Sequence, residues 1–164
     1  MGFAIREGHK EDLHATLALI QELAEYEKAP DQVKITVEQL EKDGFGDIPL
    51  FGLYVAEEDS RIVGIAIYYY RYSTWKGKTL FLEDIVVNQE MRGRGIGRDL
   101  FNRVIRKANE EKCYRMSWQV LDWNEQAITF YEKYGATIDR EWLNCDFFAE
   151  DLERLTYEMK QVMP

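Results

Sequence analysis

Apolar positions change their spacing several times along the chain, and each change marks an element. Residues 3–6 read as a short first strand. Leu13, Leu17, Ile20 and Ala24 then recur at helical spacing, which predicts an amphipathic helix over 11–26. Thr36 followed three residues on by Gln39 is a capping-box signal for a second helix, with Gly44 as its expected stop. Residues 51–56 and 62–72 read as strands joined at the charged turn Glu57-Glu58-Asp59-Ser60, and 79–87 as another strand. Gly95 opens a helix that carries Ile96, Leu100, Val104 and Ala108 on one face. Residues 116–120 return as a strand, 125–134 make a short helix ended by Gly135, 141–148 form a last strand, and 150–160 a helical tail. Strands clustered in mid-chain with helices between them predict a layered sheet of the α/β or α+β class. No repeat, low-complexity tract or linker interrupts the chain, so a single domain over residues 1–164 is expected.

Composition narrows the possible partners. Hydrophobic residues at 46% and charged residues at 31%, with a mean hydropathy of -0.45, describe a soluble globular chain able to bury a real core. Lys and Arg number 21 against 30 Asp and Glu, a net charge of -9. That balance argues against nucleic acid, whose phosphates call for excess Lys and Arg. It suits small cationic partners, or simply keeps the protein in solution. No apolar run approaches the roughly 20 residues of a membrane span. The first residues lack a basic segment followed by an apolar one, and Arg6 stands where a myristoylation signal needs Ser or Thr. Cys113 and Cys145 form neither a disulfide framework nor a zinc pattern, and His9 and His14 read as solvated. No metal is expected, and the expected location is the cytoplasm.

Chemistry concentrates in residues 81–98. A strand runs into a loop with Gly93, Gly95 and Gly97 at alternate positions, and a helix follows at once. Such glycines let backbone N–H groups approach an anion, and a helix N-terminus adds its positive end. Arg92, Arg94 and Arg98 bring formal charge to the same place, so the segment reads as a pyrophosphate cradle rather than a purely structural turn. A dinucleotide fingerprint would need glycine where Arg98 stands, and a Walker A loop would need Gly-Lys followed by Ser or Thr. What remains is Arg92-Gly93-Arg94-Gly95-Ile96-Gly97 at a strand-to-helix junction.

With that motif, the sequence resembles the GNAT superfamily of acetyl-coenzyme A-dependent N-acetyltransferases, over Ile5 to about Gly135. It is most similar to the diamine (spermidine/spermine) acetyltransferases, through residues 22–27, Asp43-Gly44-Phe45-Gly46, Tyr68-Tyr69, Leu82-Glu83-Asp84, Asp122-Trp123-Asn124 and Phe130-Tyr131. Residues 31–35, 72–77 and 120–124 look like the type 2 branch, associated with thialysine and related amino-acid amines. The resemblance implies a mixed, mostly antiparallel, splayed sheet of about six to seven strands flanked by helices. It also implies a homodimer in which the segment from Glu141 onward reaches the partner. Where the polyamine enzymes carry an Asp two residues before the Trp, this chain has Ser73, which favours a shorter amine than spermine.

The resemblance also assigns roles. Ile85, Val86 and Val87 would pair through their backbone with the pantetheine arm of acetyl-coenzyme A, and Asn124, Glu125, Gln126 and Ala127 would hold the same arm. Tyr26, Glu27, Glu83 and Asp84 would line the amine site, and Trp75 would either pack on the substrate or serve loop packing. An amine with a pKa near 10 is mostly protonated at neutral pH, so a group must accept a proton before the nitrogen can attack, about the role expected of a carboxylate. Glu83 is the candidate acceptor, through water; adjacent strand residues face opposite ways, so Asp84 joins it only if the strand bulges. Otherwise Asp84 would hydrogen-bond nearby backbone. Tyr131 is the candidate general acid for the departing thiolate, while Phe130 belongs to the core. Two readings stay open beside this one: an enzyme of the same fold acting on a peptide, amino acid or aminoglycoside, and a non-catalytic acyl-coenzyme A sensor.

Overall fold

Residues 53–56 and 63–68 are apolar or small at every position, a pattern a strand can satisfy only when both of its faces are covered. In the computed structural model, which describes residues 2–162, these segments lie within β2 (Gly52–Glu58) and β3 (Arg61–Ser73). They sit at the centre of a sheet ordered β1-β2-β3-β4-β5, completed by β1 (Ala4–Glu7), β4 (Gly77–Val87) and β5 (Arg115–Ser117). The first four strands pair antiparallel and β5 pairs parallel to β4, so the sheet is mixed, as expected.

One face is covered by α1 (Leu13–Tyr26) and α2 (Val37–Phe45). Leu13, Leu19 and Leu40 from these helices are buried with Leu53, Val55, Ile65, Ile67 and Val86 from the strands. The alternate residues look toward α3 (Ile96–Glu110), whose Ile96, Leu100, Phe101, Val104 and Ala108 are buried. Gly64 marks how close that packing is: a Cβ there would lie 3.1 Å from Leu100 and 3.2 Å from Ile96. The guanidinium of Arg103 lies 4.5 Å above the Tyr54 ring on the same side.

Local signals act mostly where the sequence puts them. Thr36 caps α2 by accepting a hydrogen bond from the Gln39 N–H at 3.2 Å. A short 3-10 turn, Lys10–Asp12, precedes α1 and places Asp12 to accept from both terminal nitrogens of Arg6, at 2.7 and 2.9 Å. Gly44, expected to stop α2, lies inside it; a Cβ there would come within 2.4 Å of the Phe51 ring, so the glycine serves close packing. The β2–β3 hairpin closes on Asp59 and Ser60, both left-handed at φ 48 and 60, the backbone of a two-residue type I′ turn.

The chain divides into two compact units, one ending at Gln119 and one starting at Val120. The sheet and α1–α3 belong to the first. The second holds α4 (Glu125–Lys133), ended as expected by Gly135 at φ 77, and α5 (Ala149–Val162). Among the described residues the sheet has five strands, not the expected six to seven. The strand expected over 116–120 is reduced to Arg115–Ser117, and none forms over 141–148. There Trp142, Leu143, Phe147 and Phe148 are strongly exposed: the apolar content mimics a strand, but no strand among the described residues pairs with it.

Candidate active site

Antiparallel pairing between β3 and β4 slips by one residue in the middle of β4. Ile67 pairs with Asp84 and Tyr68 with Leu82, which leaves Glu83 as the additional residue of a β-bulge. A bulge breaks strict alternation and re-aims side chains, the one circumstance in which Glu83 and Asp84 can serve the same region. Glu83 is exposed and Asp84 is half-buried. Burial pushes the Asp84 carboxyl up to about 6, and the charges of Glu83 and Glu27 push in the same direction. Glu27 caps the C-terminal end of α1, and burial raises its carboxyl too. From β3, Tyr69 has a phenol raised first by burial and then by the Glu83 charge.

Among the described residues no Lys or Arg forms an ion pair with Glu27, Glu83 or Asp84. Among the described residues, burial and the Glu83 and Glu27 charges, and no backbone hydrogen bond, act on the Asp84 carboxyl. Neighbouring carboxyls in a partly desolvated place disfavour one another's charge, and a bound cation relieves that. These residues do not form a metal-holding group of His, Cys, Asp and Glu.

The glycine loop presents a different picture. Gly93 and Gly95 take left-handed backbone at φ 77 and 85, and Gly95 is the residue that caps α3. A side chain at either position would be strained, so glycine keeps the helix N-terminus open to an anion. The three arginines expected to supply charge all have partners within the chain. Arg92 donates from Nε to the Val87 carbonyl at 3.1 Å, stands 3.8 Å from Glu22, and lies 5.3 Å over the Tyr26 ring. Arg94 forms a two-pronged pair with Glu58, at 2.7 and 2.5 Å, and Arg98 pairs with Asp99 at 3.1 Å.

Glu22 accepts from the backbone N–H of Gln89 at 2.6 Å and from the Asn88 side chain at 2.9 Å. The last turns of α1, with Tyr26 and Glu27, are thereby fixed to the segment that leads into the loop. Glu22 entered the sequence reading only as part of a matching stretch, and Glu58 only as a turn residue; no spacing rule signals either pairing.

β5 pairs with β4 only from Thr79 to Phe81. Beyond Phe81 that edge of β4 has no ladder partner in the sheet, and Ile85, Val86 and Val87 lie in this stretch. An open edge ending at a glycine-capped helix fits an amide-bearing arm that ends in a pyrophosphate. In the second unit, Asn124 caps α4 by accepting from the Ala127 N–H at 3.2 Å, and Glu125, Gln126 and Ala127 form the first turn. Tyr131 is buried, which pushes its phenol up to about 12. Trp75 stands apart: it is 85% exposed at the tip of the β3–β4 hairpin. The six residue steps from Gly77 to Glu83 put that tip about 20 Å along the strand from the bulge.

Fold and site together describe a transferase for activated acyl groups. Residues 16–136 match the model of the Acetyltransferase (GNAT) family, to which the chain belongs, and it is an acetyl-transfer enzyme. It is 44% identical over 140 residues to the thialysine N-epsilon-acetyltransferase of Bos taurus, covering 80% of this chain and 82% of that one. It is 41% identical to the thialysine N-epsilon-acetyltransferase of Sus scrofa, over 92% of this chain and 95% of that one. Among solved structures, an integron cassette protein from the mobile metagenome of V. cholerae is similar in fold. Its TM-score is 0.77 at 24% identity, covering 95% of this chain and 98% of that one. No helix among the described residues is long and apolar enough to cross a membrane.

Proposed function

We propose that this enzyme transfers acetyl from acetyl-coenzyme A to the primary amine of a thialysine-like amino acid or short diamine, by direct attack of the amine. The observation that carries the reading is Asp84: a half-buried carboxyl beside Glu27 and Glu83, with no Lys or Arg among the described residues in an ion pair with any of them. A protonated amine supplies the missing positive charge. The names of the two mammalian relatives point to the same class of acceptor, and Ser73 leaves the hairpin without a carboxylate for a distant second ammonium.

The donor supplies an activated thioester; the chain supplies position and proton transfer. Within the first unit, backbone groups of Ile85 to Val87 and the glycine-capped start of α3 are assigned to the donor; Asn124 to Ala127 of the second unit are assigned to it by the family resemblance alone. Glu27, Glu83 and Asp84 draw in the ammonium and remove its proton. Tyr131, kept protonated by burial, is assigned to the departing sulfur. A phenol raised to about 12 is fully protonated at neutral pH, as a general acid requires.

We read the two units as one functional domain, supported by a family match that runs from residue 16 to 136 across their boundary. A homodimer is supported by the exposed Trp142, Leu143, Phe147 and Phe148, which a second subunit would cover. The acidic charge fits a small cationic substrate rather than nucleic acid, and the free Cys113 and Cys145 suit a reducing cytoplasm.

The test is thiol release from acetyl-coenzyme A against thialysine, lysine, putrescine, spermidine, spermine and a basic peptide. Turnover should be fastest with thialysine or a short diamine, and Tyr131→Phe should lower kcat by about 10²–10⁴. Coenzyme binding without turnover on any amine would overturn the reading.

A further inference from the structure

We propose that Arg71 receives the carboxylate of the substrate, so that the enzyme selects an amino acid acetylated on its side-chain amine over a plain diamine. This rests on the amine-acetyltransferase reading above and names the far end of the same site. Arg71 follows Tyr69 by two residues on β3, so both side chains stand on one face of the sheet. That face also carries Phe81, the register partner of Tyr69, and next along β4 comes the bulge at Glu83.

The guanidinium of Arg71 lies 4.7 Å from the centre of the Phe81 ring, and the Tyr69 ring packs on the same Phe81 at 5.3 Å. Tyr69 joins the two ends of the site. Its phenol donates a hydrogen bond to Glu83, and the Arg71 charge is felt at the same phenol. Arg71 is exposed, and among the described residues no Asp or Glu forms an ion pair with it. In this it differs from Arg92, Arg94 and Arg98 around the glycine loop, each of which has a carboxylate partner. Ser73, two residues further along, accepts from the backbone N–H groups of Trp75 and Lys76 at 3.3 and 3.1 Å, so its hydroxyl serves the hairpin turn.

The spacing suits an amino acid. Stacked over Phe81, the guanidinium is two strand steps, about 7 Å, from Glu83. Thialysine and lysine have six bonds between the carboxyl carbon and the side-chain nitrogen. Two residues of extended backbone have as many, so the span is about 7 Å. With the ammonium beside Glu27, Glu83 and Asp84, the carboxylate of an extended substrate reaches the Arg71 fork, which matches it in shape as well as charge. A diamine brings a second ammonium to the same place, against a like charge.

Two substrates that differ only in the carboxylate provide the test: thialysine and bis(2-aminoethyl) sulfide, each assayed by thiol release from acetyl-coenzyme A. The unaltered enzyme should favour thialysine in kcat/KM. Arg71→Gln should lower kcat/KM for thialysine by about 10-fold, nearly all through KM, because a charge-assisted two-pronged contact is lost. The same variant should raise kcat/KM for bis(2-aminoethyl) sulfide, whose second ammonium no longer meets a cation. Arg71→Lys keeps the charge but not the fork, and on thialysine should fall between Arg71→Gln and the unaltered enzyme. Unaltered coenzyme affinity, by isothermal titration, shows that each variant is folded.

An equal loss on both substrates, or none on thialysine, would overturn the proposal and leave Arg71 a surface residue stacked on Phe81. So would an unaltered enzyme that uses both substrates equally well, a result that needs no variant. An unaltered enzyme that binds coenzyme but acetylates neither amine would instead overturn the reading on which the proposal rests.

Discussion

The glycine loop and the β4 bulge meet their charges in opposite ways. Around the loop every arginine has a partner: Arg92 has Glu22 and a carbonyl, Arg94 has Glu58, and Arg98 has Asp99. At the bulge, the carboxyl groups of Glu83, Asp84 and Glu27 act on one another, and among the described residues no Lys or Arg forms an ion pair with them. On the proposed function, the loop is therefore built before its ligand arrives, and an anion using Arg94 must first compete with Glu58. On the same reading, the bulge is complete only when a cationic substrate arrives. Preorganisation lowers the ordering cost on the coenzyme side, whereas strain awaiting relief favours the amine side.

Three substitutions sharpen or break this contrast, beginning with the largest effect. Gly95→Glu forces a side chain into left-handed backbone at φ 85 and sets a negative charge at the anion site. The backbone penalty of about 1–2 kcal/mol alone predicts roughly 5–30-fold weaker coenzyme binding, and charge repulsion adds to it. Isothermal titration should show that loss; unchanged affinity would mean the loop does not hold the phosphates.

Glu58→Gln acts in the opposite direction, because it frees Arg94 from its internal competitor. Surface ion pairs are weak and screened by salt, so coenzyme should bind modestly tighter at low salt, with the gain shrinking as salt rises. Weaker binding would show that Glu58 positions Arg94 for the ligand instead of competing for it.

The third effect is on stability. A carboxyl raised to about 6 in the folded chain and near its ordinary value when unfolded penalises the folded state above pH 6. That penalty fades as pH falls from about 6 through about 4, because the folded state then holds the proton more readily than the unfolded one. Asp84→Asn should accordingly raise Tm by a few degrees at pH 8 in the absence of ligand and by little at pH 4. An equal change at both pH values would mean that packing, not charge, accounts for it.

What the sequence reveals and conceals follows from the range of each interaction. The loop was legible because its meaning is local: a strand, three alternating glycines and a helix occupy 81–98 in one run. α3 was equally legible, since Ile96, Leu100, Val104 and Ala108 keep a helical period and are all buried. The bulge was not, because one additional residue in β4 leaves no mark on composition or period and shows only against β3. The partners of Arg92 and Arg94 were hidden for a related reason: Glu22 and Glu58 come from distant parts of the chain, and folding alone brings them to the loop. Residues 141–148 show the converse error, where apolar content suggested a strand that only pairing could have made.

The hairpin that carries Glu58 has a two-residue loop, Asp59-Ser60, with both residues left-handed. A loop that tight acts as a length gauge. One inserted residue would change the turn type and the strand register, swinging Glu58 off Arg94 while leaving the glycine loop itself untouched. On the proposed function, hairpin length, at a place remote in sequence from the glycine loop, would set how freely Arg94 can meet an acetyl donor.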